Sequence, residues 1–280
     1  MIALLIATAA AAGLCLTLLV VVLVVRARIA RLDARSRGQR TEVSGILRAL
    51  LVEEGDAPAP RRESTLHAVA SVVARVHGED REALQRWLER HGAVELARRG
   101  MRARQPLERA RGIRLYVRTT PTPSSQLMGR MLDDPDPRVR AVAALEWGST
   151  GSSDAIAPVL AAACRDDLRL PPLVASIAIM RCRLLDVGEL HAAWSTRDPD
   201  GLRVALGTGS AAGLAGVAPH AIAALDHDDA LVRIAAADAL RRVGTRRALE
   251  PLLARAQQES NAIARRHLDE TIVALGGSAR

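Results

Sequence analysis

The chain contains no lysine and no phenylalanine, and only one tyrosine and three tryptophans in 280 residues. With so few aromatics the core must be built from Ala, Leu, Val and Ile, which suits close-packed helices and argues against a β-sandwich. The absence of lysine rules out a phosphate-binding P-loop, which requires Gly-Lys-Ser/Thr, so the stretch GTGSAAGLAG at 207–216 reads as a loosely packed, glycine-containing repeat. Cysteine is scarce too. Cys15, Cys164 and Cys182 form no short pair, which excludes a disulfide framework or a zinc site and leaves them as small apolar side chains. None of the seven histidines belongs to a His-x-His or His-Glu pair, and no nucleophile is accompanied by a base. No catalytic, cofactor-binding or metal-ligating residue is therefore assigned. His227, beside Asp226, Asp228 and Asp229, reads as part of a solvated turn.

Charge of one sign is concentrated in one part. Residues 26–118 hold 21 Arg against 12 acids, whereas 121–280 hold 18 Arg against 19. Nucleic-acid binding along the whole chain would distribute its positive charge differently. The first charge does not appear until Arg26. The run IALLIATAAAAGLCLTLLVVVLVV, residues 2–25, is 24 residues without a charge, and as a helix it would be about 36 Å long, enough to span a bilayer. No basic side chain precedes it and no small-residue cleavage site ends it, so it reads as an uncleaved anchor rather than a signal peptide. Arg26, Arg28, Arg31, Arg35, Arg37 and Arg40 follow it, opposed only by Asp33. The positive-inside rule then places the C-terminal side in the cytoplasm and the short N-terminus outside.

Beyond the anchor, residues 26–54 read as a basic juxtamembrane helix with a broken apolar stripe through Ile29, Leu32, Val43, Ile46, Leu47 and Leu50. Residues 55–64, with two Pro and several charges, read as a linker. Residues 65–104 hold two predicted helices, each ended by Gly, and a third short one, AVELARRGM. The stretch 98–118 is strongly basic, with eight Arg and one Glu, and Arg98, Arg99, Arg102 and Arg104 form its candidate partner or lipid surface. Only Tyr116 lies near for base stacking, which disfavours a nucleic-acid site.

The remainder, 105–280, repeats. DPDPRVRAVAALEWG at 134–148 returns as DHDDALVRIAAADALRRVG at 226–244: Arg140 matches Arg233, Gly151 matches Gly244 and Pro158 matches Pro251, each at an offset of 93, or three times 31. Leu202-Arg203, Arg265 with Gly276, Pro172 and Arg109 mark further copies, giving five or six units. Each unit reads as two antiparallel helices. Asp136 or Asp229 caps the first, Gly151 or Gly244 ends it, and Pro158 or Pro251 lies near the start of the second. One such hairpin cannot bury its own apolar face, so the units must stack.

These motifs resemble the short bacterial HEAT repeat also seen in phycobilin lyase-like proteins. The resemblance covers roughly 105–278 and implies an all-α solenoid, here preceded by one transmembrane helix, that serves as a protein-binding scaffold and not as an enzyme. In such repeats the recurrent Asp and Arg are structural, so Asp136, Arg140, Asp229 and Arg233 are expected to cap and link repeats. The layout of one anchor followed by repeats is also similar to membrane-anchored HEAT proteins associated with polysaccharide-making glycosyltransferases. The expected protein is thus a single-pass scaffold of the inner (plasma) membrane. Its expected partner is an integral membrane protein, met on the concave face of the second helices, with no cofactor and no small-molecule substrate. Lyase-like action on a tetrapyrrole and nucleic-acid binding remain as alternatives.

Overall fold

Proline, aspartate and glycine set the helix limits. Where Pro stands at the first helical position its missing N–H costs nothing, and Asp just before it accepts a free amide of the first turn. The computed structural model describes residues 38–52 and 57–276 and is helical throughout, with no strand among them. The apolar run 2–25 and Arg26, Arg28, Arg31, Arg35 and Arg37 lie outside the described residues. Within the described residues no helix is long and apolar enough to cross a membrane.

The chain forms two compact units, Met1–His91 and Gly92–Arg280. In the first, α1 (38–51), α2 (Glu63–Val73) and α3 (Gly78–Arg90) are helical. Ile46 of α1 is fully buried, as are Val69 of α2 and Leu84, Trp87 and Leu88 of α3. The expected linker is not free over its later part. The Arg61 amide donates to Glu42 Oε1 at 2.7 Å, and Gln39 Nε2 donates to the Ser64 carbonyl at 3.0 Å. A further difference concerns the first glycine stop: α2 ends at Val73, and Gly78, at φ +61, opens α3 instead of closing α2.

The second unit alternates short and long helices. The short ones are α4 (Ala93–Met101), α6 (Ser125–Leu132), α8 (Ile156–Ala163), α10 (His191–Thr196), α12 (Val217–Ala224) and α14 (Leu249–Gln258). The long ones are α5 (Pro106–Thr119), α7 (Pro137–Gly148), α9 (Pro172–Arg181), α11 (Pro199–Ala211), α13 (Ala230–Val243) and α15 (Ala262–Ala274). The long helices form one row, each packed on the next, and each short helix packs on the long helix that follows it. The expected boundary at 104/105 therefore falls inside the first pair, α4 with α5. Alanine sets the spacing: Ala236 and Ala237 of α13 and Ala205 of α11 are fully buried, with Leu206, Leu240, Leu252 and Leu268 around them.

The expected period of 31 is an average. The long helices start at 106, 137, 172, 199, 230 and 262. The interval before α9 is four residues longer than 31 and the one after it four shorter, so the two cancel over the 93-residue offset. The extra length sits in 164–171, where Leu168 takes a left-handed backbone at φ +45. The expected glycine stops differ from each other as well. Gly151 turns the chain at φ +74, whereas Gly244 caps α13 in an extended conformation.

Candidate interaction surfaces

The turns between pairs use a recurrent set of polar contacts. Asp136 accepts from the Arg138 amide at 2.9 Å and Asp229 from the Leu231 amide at 2.8 Å, each at the start of a long helix. Asp198 and Asn261 do the same for α11 and α15. Arg138 also bonds the Asp136 side chain, which lowers that carboxyl to about 2. Losing one such cap by Asp229→Ala should cost about 1 kcal/mol, read as a lowered urea midpoint.

Arginines one turn into the long helices tie these turns together. Arg233 donates from Nη1 to the carbonyls of His227 and Asp228, both at 2.8 Å, and forks onto Glu259 at 2.6 and 2.7 Å. Arg109 repeats the arrangement with the Ala103 and Arg104 carbonyls and with Asp134 at 2.7 and 2.8 Å. Asp134 and Glu259 each accept the amide two residues on, and His227 Nδ1 accepts the Asp229 amide in the same place. Arg140 has the carbonyls of Asp134 and Pro135 but no carboxylate. Nη2 reaches the Arg169 carbonyl at 3.3 Å, and its buried Nε has no partner among the described residues. Arg169 stands three residues before α9, where Asp134 precedes α7 and Glu259 precedes α15, so this turn offers Arg140 a carbonyl and no carboxylate.

The basic stretch 98–118 separates into two parts. Arg109 faces Asp134, Arg111 faces Glu108, and Arg114 and Arg118 share Glu146. Arg98, Arg102 and Arg104 are exposed at the C-terminal end of α4 and form no ion pair among the described residues, and Arg99 is exposed beside them. Positive side chains at this end complement the negative end of the α4 dipole. Arg40, also exposed, lies in the first turn of α1.

Two further features were not read from the sequence. Trp194 and His220 stack in parallel with ring centroids 4.3 Å apart, and burial lowers the His220 pKa. With Arg197, Leu202 and His227 they line a cavity of about 140 Å³. Arg197 is held there at φ +53, a conformation that non-glycine residues rarely adopt. The 25 residues between Trp194 and His220 gave no local signal for this pairing. The second feature, the exposed apolar face of α9, is taken up below.

Nothing in this arrangement activates a nucleophile. Burial raises the Cys164 thiol and pushes Cys182 up to about 11, away from the reactive thiolate. No group of three or more His, Cys, Asp or Glu side chains suited to a metal occurs among the described residues.

Rows of stacked helix pairs joined by capped, arginine-bonded turns are a known repeat architecture. Residues 192–272 match the HEAT-repeat family. The HEAT match begins in α10 and runs through α15, and so takes in Asp229, Arg233 and Glu259 but not the pairs before α10. No curated protein matches the chain. HEAT repeats generally mediate contacts between proteins, and the helical stack before residue 192 continues the same geometry.

Proposed function

We propose that this chain is a protein-binding scaffold, held at the cytoplasmic side of a membrane by residues 2–25. The observation that supports it most is the unbroken row of long helices from α5 to α15, a surface with many side chains to offer. The uncharged run 2–25 and the six arginines after it favour anchoring and orientation. Arg98, Arg102 and Arg104 would add a basic contact, either to a partner or to anionic headgroups. The partner we favour is an integral membrane glycosyltransferase, on the strength of the layout of anchor and repeats. Asp136, Arg140, Asp229 and Arg233 act within the fold, because their bonds end on the backbone and side chains of neighbouring turns.

Tagged full-length protein, purified from native membranes in mild detergent, should bring down one membrane enzyme in stoichiometric amount. A version lacking residues 1–40 should lose membrane attachment. Recovery of no partner from either form would end the scaffold reading, and recovery of tetrapyrrole or nucleic acid would replace it.

A further inference from the structure

Ten large apolar side chains are exposed among the described residues, and five of them lie between 168 and 185. Three stand on one face of α9: Leu173 is 71% exposed, Ile177 37% and Met180 66%. Their spacing of four and three residues keeps them on one side of the helix over two turns, about 10 Å. The equivalent faces of neighbouring long helices differ. α7 has Arg138, Val142 and Leu145 at these positions, of which only Arg138 is exposed, and α11 presents Gly207 and Ala211. α9 is also the helix that follows the stretched connection, and its N-cap, Pro171, offers no side-chain bond.

The small residues of α11 leave room beside the large ones of α9. Ile179, Met180 and Leu184 on one side and Thr208, Ala211 and Ala212 on the other enclose a groove of about 300 Å³. Arg183 lines its end and Arg181 is exposed next to it; neither has a carboxylate partner among the described residues. An apolar strip of this kind on a protein surface marks a contact site.

We infer that an amphipathic helix of a protein partner lies along α9, with its apolar face against Leu173, Ile177 and Met180, the strip that meets the α9–α11 groove at Met180, and an acidic residue against Arg181 and Arg183. This rests on the scaffold reading and adds a site on the long-helix row to the expected one on the short helices. A helix fits because the strip has helical spacing and a ridge beside a trough of small residues. An acidic partner fits because two arginines at one end lack counter-charges.

The test places a benzophenone-bearing residue at Ile177 or at Met180 of the full-length chain in native membranes, with Glu250 of α14 as the position on the short-helix row. Irradiation at 177 and 180 should attach one protein. Its cross-linked segment should carry apolar residues at helical spacing together with Asp or Glu. Leu173→Ser and Arg183→Glu, both surface changes, should each reduce the yield from Met180 about tenfold. Cross-links to lipid, or to another copy of the chain, would overturn the inference. Cross-links from Glu250 without any from 177 or 180 would overturn it and leave the scaffold reading standing. None from any position would sink both.

Discussion

Glu259→Ala should destabilise the fold by about 3–5 kcal/mol, the range for removing one partner of a buried ion pair. The Glu259 side chain has no exposed surface and that of Arg233 only 7%. The carboxylate takes both arms of the Arg233 fork, the Asn261 amide at 2.9 Å and Arg255 at 3.3 Å. Alanine would leave Arg233 buried with only the His227 and Asp228 carbonyls. The exposed pair Arg266–Glu270 is the comparison: Glu270→Ala should leave the urea midpoint nearly unchanged, because water screens this pair. Urea unfolding of the full chain followed by circular dichroism distinguishes the two. The pair with Arg233→Met and Glu259→Leu together should recover most of the loss, because the stranded charge has gone. The same carboxylate gives a pH signature. Hydrogen bonds from Arg233 hold it down from 4.5 to about 2 against the opposing effect of burial. A depressed folded-state value means its stabilisation is complete above the unfolded value and is lost as pH falls from about 4.5 towards 2. The gap between wild type and Glu259→Ala should therefore narrow through that window. A gap that stayed constant down to pH 2.5 would show that Arg233 does not depend on this charge.

The helix caps could be read from the sequence because they depend on residue type at a fixed place: Asp136 and Asp229, 93 residues apart, do the same thing. The acids that answer the arginines could not. The same turn position is occupied by Asp134, His227 and Glu259, and all three accept the amide two residues on, so geometry recurs where residue identity does not. The stretched connection before α9 was hidden by its own compensation, since intervals of 35 and 27 preserve the 93-residue offset. Arg140 and Arg233, matched in sequence, differ in having a carboxylate because the answering turn position holds Arg169 in one case and Glu259 in the other. For α9 the sequence was ambiguous in a physical sense. A short helix apolar on every side reads as core, and only the stack shows that one of its sides is left uncovered. The basic stretch 98–118 was visible as a cluster, but its division into paired and unpaired arginines needed Asp134 and Glu146, which lie on later elements. The glycines of 207–216 were read as one loose segment, yet their surroundings differ: Gly207 has open space, whereas a Cβ on Gly209 would lie 2.7 Å from Val217 Cγ2.

Glycine gives the second large expected effect, and its sign is the informative part. In an exposed helix interior Gly→Ala is favourable by about 0.4–1 kcal/mol, because alanine has less backbone freedom to lose. Gly207→Ala, mid-way along α11 with nothing within 4 Å, should show that gain. Gly112→Ala, in α5, should instead cost about 2–3 kcal/mol. A Cβ there would lie 2.5 Å from the Met101 amide nitrogen, 2.7 Å from the Ala97 carbonyl oxygen and 2.8 Å from the Gly100 carbonyl carbon. All three are backbone atoms of α4, so no side chain can turn aside and the two helices must move apart. The consequence is local. α4 packs on α5 at the end of the row, so it should loosen before the rest of the stack, and with it the turn that presents Arg98, Arg102 and Arg104. Hydrogen exchange should accelerate over 93–104 in Gly112→Ala while α11 to α15 keep their protection. Equal acceleration along the whole second unit would mean that the α4–α5 contact supports the entire stack. Local acceleration would yield a variant in which the basic turn is disordered on an otherwise intact solenoid. Comparing that variant with Leu173→Ser in the pull-down from membranes would then show whether the basic turn or the α9 groove holds the partner.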